Sequence, residues 1–367
     1  MGVIDLHEKP FDETTIAKLE IFEEYAQAWI PTFVMSGYEE IHIFDFFAGT
    51  GYDKEGRSGS PIRILEKIKD HIDNIQFKRI KIHVHLNEFK TKKYELLRQA
   101  CNDFLENNPT VKYATRIKLY NQSFNEVFNK LLPRIKKFPS LVYLDQNGVK
   151  FIAEEYIFKL EKCSTTDFLY FVSSSYFWRF GDQDAFKKHF NIDIEKAKEN
   201  PYKFIHKHIL EELKSTLPAN TQLKLYPFTL QKGTNIHGII FGASFPLAVD
   251  KFLKIAWKMN SINGEANFDI FDDSPSSQLE FNFEDKKLSK IENFKLSLEE
   301  NILSGKLKNN REVYDFTLDC GHVPSHAIEL LRKLKKEKKI YFSTKSPLIT
   351  YDNVYKNKRI LNYDLCN

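Results

Sequence analysis

A short apolar strand that runs straight into a two-glycine bend is the tightest constraint this chain places on its own fold. Ile41-His42-Ile43-Phe44 alternates as a buried strand does and ends at Asp45-Phe46-Phe47-Ala48-Gly49-Thr50-Gly51, where glycines two residues apart let the backbone turn sharply. Beyond Asp53, Gly59-Ser60-Pro61 opens a segment with Ile62, Leu65 and Ile68 at helical spacing. Pro61 falls where a first helical turn tolerates a missing N–H. Strand, bend and helix form a cradle in which backbone N–H groups can approach a ligand closely. The spacing is neither GxGxxG nor a GKS/GKT loop, so the usual sequence evidence for pyrophosphate or triphosphate binding is missing.

Alternating strands and helical segments continue to about residue 262. The helical spacing of Ile16, Leu19, Phe22, Tyr25, Ala26 and Trp29 predicts an amphipathic helix before the first strand, with Trp29 in the core. Further strands are read at Arg79–Leu86, Ile117–Tyr120, Ser140–Leu144 and Asp167–Val172. Helices are read at Gln183–Phe190 and Tyr202–Ser215, and a hairpin turns on Lys232-Gly233-Thr234-Asn235. A last helix spans Pro246–Trp257. Five strands alternating with helices and closed by a hairpin predict an α/β, Rossmann-like, seven-stranded sheet.

The tips of these strands carry the candidate chemistry. Glu88 ends the second strand, where a carboxylate can accept both hydroxyls of a ribose; the alternative is an acid capping the next helix. Asn121 and Gln122 follow the third strand, where amides can present a donor and an acceptor to a base edge, while Ser123 reads equally as a helix N-cap. Asp145 closes the fourth strand and can accept a proton or a hydrogen bond, with the amides of Gln146 and Asn147 beside it; the alternative is a turn-capping Asp. After the fifth strand, Tyr176, Trp178 and Arg179 combine rings that stack on unpaired bases with a guanidinium that binds phosphate, or else form a packed lid.

A net charge of +4 on 367 residues neither requires nor excludes nucleic acid. Cys101, Cys163, Cys320 and Cys366 have no CxxC spacing, which argues against a zinc cluster or disulfide framework and for a reducing, cytoplasmic setting. No apolar run of membrane-spanning length and no signal pattern is present. His322 and His326 are parted by Pro324, which argues against a shared helical face and a metal site. Past Asn263 an acidic stretch with Ser274-Pro275-Ser276-Ser277 reads as a linker or insertion. A helix, helix and strand pattern follows, with a basic run from Arg332 to Lys339, suiting a winged-helix module.

D-x-F-x-G-x-G resembles motif I of class I S-adenosylmethionine (AdoMet) dependent methyltransferases, especially those that methylate amino groups of nucleic acids. With FDFFAGTGYD, GSPIRILE, LNE, LDQNG, WKMN followed by GEANFDIFDD, and LDCGHVPSHAIELLRKLKKEKKI, the chain resembles the three-Cys-motif partner protein family (TcmP) from about Ile41 onward. The expected domains are therefore an N-terminal helical segment (1–36), a Rossmann-like methyltransferase domain (37–262), an acidic linker or insertion (263–288) and a winged-helix-like module (289–367). The resemblance implies AdoMet as cofactor, with Asp45, Ala48, Gly49 and Gly51 on its methionine side, Glu88 on the ribose, and Asn121 and Gln122 near the adenine. The GSP segment is also similar to that of bacterial rRNA adenine methyltransferases, which implies Ser60 and Pro61 in the same pocket. Asp145 would orient the acceptor, with Gln146, Asn147, Tyr176, Trp178 and Arg179 on the substrate. The family's fourth strand ends closer to Asp-Pro-aromatic-Gly, so Gln146 and Asn147 are departures. The resemblance implies a nucleic-acid substrate and a partner carrying a three-cysteine, radical-AdoMet-like motif. The rival reading is a methyltransferase-shaped binding subunit without turnover.

Overall fold

The first helix of the computed structural model, α1 (Glu13–Val34), starts where the Asp12 carboxylate accepts the Thr15 N–H. It buries Phe22, Tyr25 and Trp29, as their spacing requires. The structure describes residues 10–145, 154–175, 178, 201–273 and 288–366. Internal contacts divide the chain into two compact units, Met1–Ser244 and Phe245–Asn367.

The first unit is built on a seven-stranded sheet of β1 (Glu40–Asp45), β2 (Lys81–Asn87), β3 (Thr115–Tyr120), β4 (Ser140–Leu144), β5 (Thr166–Val172), β6 (Lys224–Lys232) and β7 (Asn235–Ala243). The strand order is β3-β2-β1-β4-β5-β7-β6. The first five strands are parallel, and β7 lies antiparallel between β5 and β6. Strands β4 and β5 are buried throughout, and so is β1 after its first residue, because crossover helices cover both faces of a parallel sheet. These helices are α2 (Ser60–Asp70), α3 (Ile72–Lys78), α4 (Thr91–Asn107), α5 (Pro109–Ala114), α6 (Phe124–Lys137) and α7 (Glu154–Glu161), followed later by Ile205–Thr216. Ser123 does cap α6, in a reciprocal box with Glu126. The β6–β7 hairpin turns on Gly233, whose φ of +55° is open to glycine. The expected helix at 183–190 lies outside the described residues.

Strand order reverses at β1, which pairs with β2 on one side and β4 on the other. Open α/β sheets bind ligands in the crevice at the carboxyl ends of such strands. Asp45, Glu88 and Asp145 all stand at that end.

In the second unit, helix Pro246–Met259, read from the sequence as the end of the first domain, precedes helices Lys290–Leu303, Asn310–Asp319 and Pro324–Lys336. Ser289 and Glu292 cap the second of these reciprocally, and Asn309 caps the third. The two helices after Asn309 are joined by residues 320–323, with Gly321 at φ +72°, a helix-turn-helix. Ile340–Tyr341 (β8) then pairs antiparallel with Asp364–Leu365 (β9). Residues 263–273, expected to begin a linker or insertion, are packed. The Asn263 amide donates to Phe268 O at 2.8 Å and its oxygen accepts the N–H groups of Glu265 and Ala266. Ala266 and Ile270 are buried. Among the described residues no helix is long and apolar enough to cross a membrane.

Candidate functional site

Asp45, the last residue of β1, accepts the Ser60 hydroxyl at 2.6 Å and the Phe47 N–H at 3.1 Å. Ser60 and Pro61 open α2 and are buried. Burial pushes the Asp45 carboxyl up to about 7, and the negative fields of Asp145 and Glu88 act in the same direction. The bend that follows needs its glycines for two different reasons. Gly49 has φ +66° and turns its N–H to Glu88. Gly51, at φ +89°, leaves no room for a Cβ, which would stand 2.7 Å from the Cβ of Ala100 on α4. The absent side chain of Gly51 therefore makes room for α4. Asp53 fixes the far side of the loop by accepting the N–H groups of Phe11, Glu55 and Arg57 at 2.8–2.9 Å.

Glu88 faces the bend. One carboxylate oxygen accepts the Gly49 N–H at 3.2 Å and the other accepts the Lys90 N–H at 2.8 Å, so Glu88 ties the glycine bend to the start of α4. Burial raises its pKa, against the Lys90 and Gly49 N–H groups and the Lys93 charge. Ala48 donates its N–H to Asn87 O at 2.9 Å. The Asn87 side chain joins three loops, donating to Phe46 O at 3.1 Å and accepting the Gln122 N–H at 3.2 Å. Asn121 gives its amide hydrogens to Glu88 O and Phe89 O at 2.7 and 2.8 Å and accepts from Thr91. Its side chain thus fastens the β2–β3 corner. Gln122 is half-buried beside it, its amide oxygen 3.5 Å from Lys130 Nζ.

Asp145 is held from an unexpected direction. Lys18 of α1 places Nζ 2.7 Å from Oδ1 and 2.5 Å from Oδ2. The same ammonium lies 4.3 Å from the centre of the Phe171 ring, a cation–π contact. Tyr143, one turn of the pleat earlier on β4, stacks on Phe22 of α1 at 4.0 Å. Its hydroxyl is buried and has no hydrogen-bond partner among the described residues. Asp145 and Asp45 raise its pKa further, after burial. Gln146, Asn147, Tyr176 and Arg179 lie outside the described residues. Trp178 is half-buried and packs edge-on against Tyr202 at 5.2 Å.

The structure therefore brings Asp45, Ala48, Gly49, Ser60, Glu88 and Asp145 to one edge of the sheet. The carboxylates of Glu88 and Asp145, with an Asp45 carboxyl raised to about 7, stand against one buried ammonium and favour a cationic ligand, and the Tyr143 hydroxyl, unpartnered among the described residues, offers it a polar contact. Lys18, Asn87 and Asp53 were not singled out from the sequence. Asn87 beside Glu88 was the one available signal, a polar residue at a strand tip. Lys18 carried none, because nothing in an exposed-looking helix position reports a carboxylate 127 residues away.

In the second unit, His322 and His326 do meet despite Pro324. The proline starts the helix rather than breaking it, and the two Nδ1 atoms are 3.0 Å apart. The basic run is largely committed: Lys335 donates to Phe342 O and Thr344 O, and Lys333 and Lys339 pair with Glu337, Lys339 also with Glu299. Arg332 and Lys336 are exposed on the helix.

A family model described as a GMT-like wHTH domain matches residues 270–347. No curated protein matches the sequence. Among solved structures, the chain is similar to the O-methyltransferase TomG from Streptomyces achromogenes in complex with SAM, with 9% identity, a TM-score of 0.32, and coverage of 64% of this chain and 90% of that one. It is also similar to the DszA carbon methyltransferase, with 12% identity, a TM-score of 0.33, and coverage of 64% and 55%. The strand order itself defines the class. The first unit is a Rossmann-like seven-stranded sheet of the methyltransferase type. The second carries a winged helix-turn-helix.

Proposed function

We propose that the first unit binds AdoMet and transfers its methyl group to nucleic acid, to a base amino group, and that the winged helix-turn-helix contributes to holding that substrate. The observation that carries this reading is the Glu88 carboxylate turned onto the Gly49 N–H at 3.2 Å, a strand-tip acid facing a glycine bend across a switch point. AdoMet, which bears both a sulfonium and an ammonium, suits the surplus of carboxylates and would supply an already activated methyl group. Glu88 would accept the ribose hydroxyls, exchanging one of its present N–H contacts. Asp45 and the bend from Ala48 to Gly51 would hold the methionine end, with Ser60 and Pro61 beside them. Gln122 is the nearer candidate for the adenine edge, since the Asn121 amide is already engaged. Asp145 would orient the acceptor nitrogen, with Lys18 fixing its carboxylate in place. Alignment alone can lower such a barrier by about 7 kcal/mol or more in the best cases.

Calorimetry with AdoMet and S-adenosylhomocysteine tests the pocket, and labelled-methyl incorporation into RNA and DNA pools tests the reaction. Binding of neither ligand would remove the reading. The partner implied by the family resemblance, a three-cysteine radical-AdoMet-like protein, belongs to the same proposal and is tested by co-purification.

The Lys18–Asp145 pair also supports the rival reading, a binding subunit without turnover. An acceptor-orienting carboxylate that is already bonded through both oxygens has less left for substrate. AdoMet affinity without incorporation into any nucleic-acid pool would select it.

A further inference from the structure

At the opposite end of β1 from the glycine bend, a group of rings has no part in the proposed reaction. Glu40 and His42 share a face of β1, being two residues apart, and His83 of β2 is the register partner of His42. Along β1, Asp45 is about 10 Å from His42 and about 17 Å from Glu40 at the usual rise per residue.

His42 is fully buried, and its Nε2 has no hydrogen-bond partner among the described residues. The nearest acid oxygen, Oε1 of Glu40, is 3.8 Å away, beyond hydrogen-bond range. The other ring nitrogen is engaged: His42 Nδ1 lies 3.1 Å from His85 Nε2, and His85 Nδ1 lies 3.1 Å from the Tyr120 hydroxyl. This relay is satisfied in either sense. With the proton on His42 Nδ1, the ring donates to His85, which in turn donates to Tyr120, and a bare lone pair is left on His42 Nε2. Metal-ligating histidines are oriented by this same use of the second nitrogen. His83 Nε2 stands 3.1 Å from Glu40 Oε2.

We propose that Glu40, His42 and His83 form a site for a zinc-class divalent cation, two imidazoles and one carboxylate, with the remaining position open to water. Neutral imidazole nitrogens with a carboxylate oxygen suit Zn2+ and Co2+ better than Mg2+ or Ca2+. The three ligand atoms lie within 4.8 Å of one another. Metal–ligand bonds near 2.1 Å place tetrahedral neighbours about 3.4 Å apart, so the side chains must draw in by about 1 Å. The His42 and His83 rings, stacked at 4.6 Å, must also tilt toward a common point. Glu40 and His83 are the members with room to move, at 31% and 16% side-chain exposure. Lys118 and Arg134 bring positive fields to the same face, and the Glu40 charge offsets part of them.

The test uses the full chain, freed of metal by a chelator and titrated with Zn2+, then with Co2+, whose visible bands report tetrahedral coordination. One equivalent should bind, and the nitrogen-15 resonance of His42 Nε2 should move on zinc addition in the unmutated protein. Glu40→Gln with His83→Gln should weaken zinc binding by at least about tenfold, the floor for loss of even an outer-shell partner. No saturable binding, an unmoved His42 resonance, or affinity unchanged in the double variant would overturn the site. The last result would assign the metal to the exposed Cys320 and Cys366 or to His322 and His326.

Discussion

Lys18 and Asp145, 127 residues apart, form an ion pair in which Nζ bonds both carboxylate oxygens at 2.7 and 2.5 Å. Their side chains are only 7% and 18% exposed, so neither charge is well hydrated without the other. Lys18→Met is expected to destabilise the fold toward the lower end of the about 3–5 kcal/mol seen when a buried pair loses one partner, because Asp145 keeps some solvent. Urea denaturation measures this. The double variant Lys18→Met with Asp145→Asn should recover part of the loss, and a double variant no more stable than Lys18→Met would show that the pair is not the cause.

Glu88→Gln retains the shape of the strand tip and removes its charge. Weakening of AdoMet binding by about 1.5–3 kcal/mol is expected, the worth of a charged hydrogen-bonding group, with the far-ultraviolet spectrum unchanged. Calorimetry at constant salt reads it. Affinity equal to that of the unaltered chain would place the ribose elsewhere.

Gly51→Ala meets two obstacles, a φ of +89° and an Ala100 Cβ at 2.7 Å. A cost of about 2–4 kcal/mol is expected, combining backbone strain with overpacking. Ala100→Gly in the same chain should return only the steric share. Full recovery would mean the backbone conformation contributes nothing.

Stability should depend on pH through groups of opposite sign. Burial holds His42 and His85 down to about 3 and about 2, so below about pH 6.5 the unfolded chain binds protons the folded chain refuses, and stability falls as pH falls. Asp45, pushed up by burial to about 7, retains a proton in the folded state between about pH 4 and 7. Its contribution therefore declines as pH rises. Two imidazoles outweigh one carboxyl, each acting at up to about 1.4 kcal/mol per pH unit. Acidification from about pH 6.5 toward 4 should thus lower the urea midpoint, and Asp45→Asn should make that fall steeper. A shallower fall in the variant would reverse the sign assigned to Asp45.

Arg332→Ala and Lys336→Ala should each weaken nucleic-acid binding by the second unit and reduce the slope of log affinity against log salt by about 1, as lost phosphate contacts do. Lys335→Met should act differently, lowering stability, because that ammonium caps Phe342 O and Thr344 O. Fluorescence anisotropy over a salt series separates the two outcomes. Unaltered slopes for both exposed residues would remove this helix from the interface.

The sheet was legible because β1 to β5 announce themselves by short apolar runs ending at polar tips, and strand bounds differ from those read in the sequence by only a few residues. The bend was legible through its glycines, although the close approach of Ala100 to Gly51 was not. What sequence spacing could not carry was pairing across distance. Lys18 on Asp145, Tyr25 on Asp167 at 2.7 Å and Phe11 on Asp53 at 2.9 Å all join the leading segment to distant strands and loops. The packed stretch 263–273 was hidden for another reason. Its order comes from side-chain amides of Asn260 and Asn263 binding nearby carbonyls, a device with no hydrophobic period.

The reach of α1 across the sheet changes where this unit can be cut. A polypeptide started at Glu40 would keep the glycine bend and every strand, yet strand four would end in an uncompensated negative charge and the Tyr143 ring would be bared on one face. Such a truncation would carry every hallmark by which the pocket is found and lack the wall that closes it.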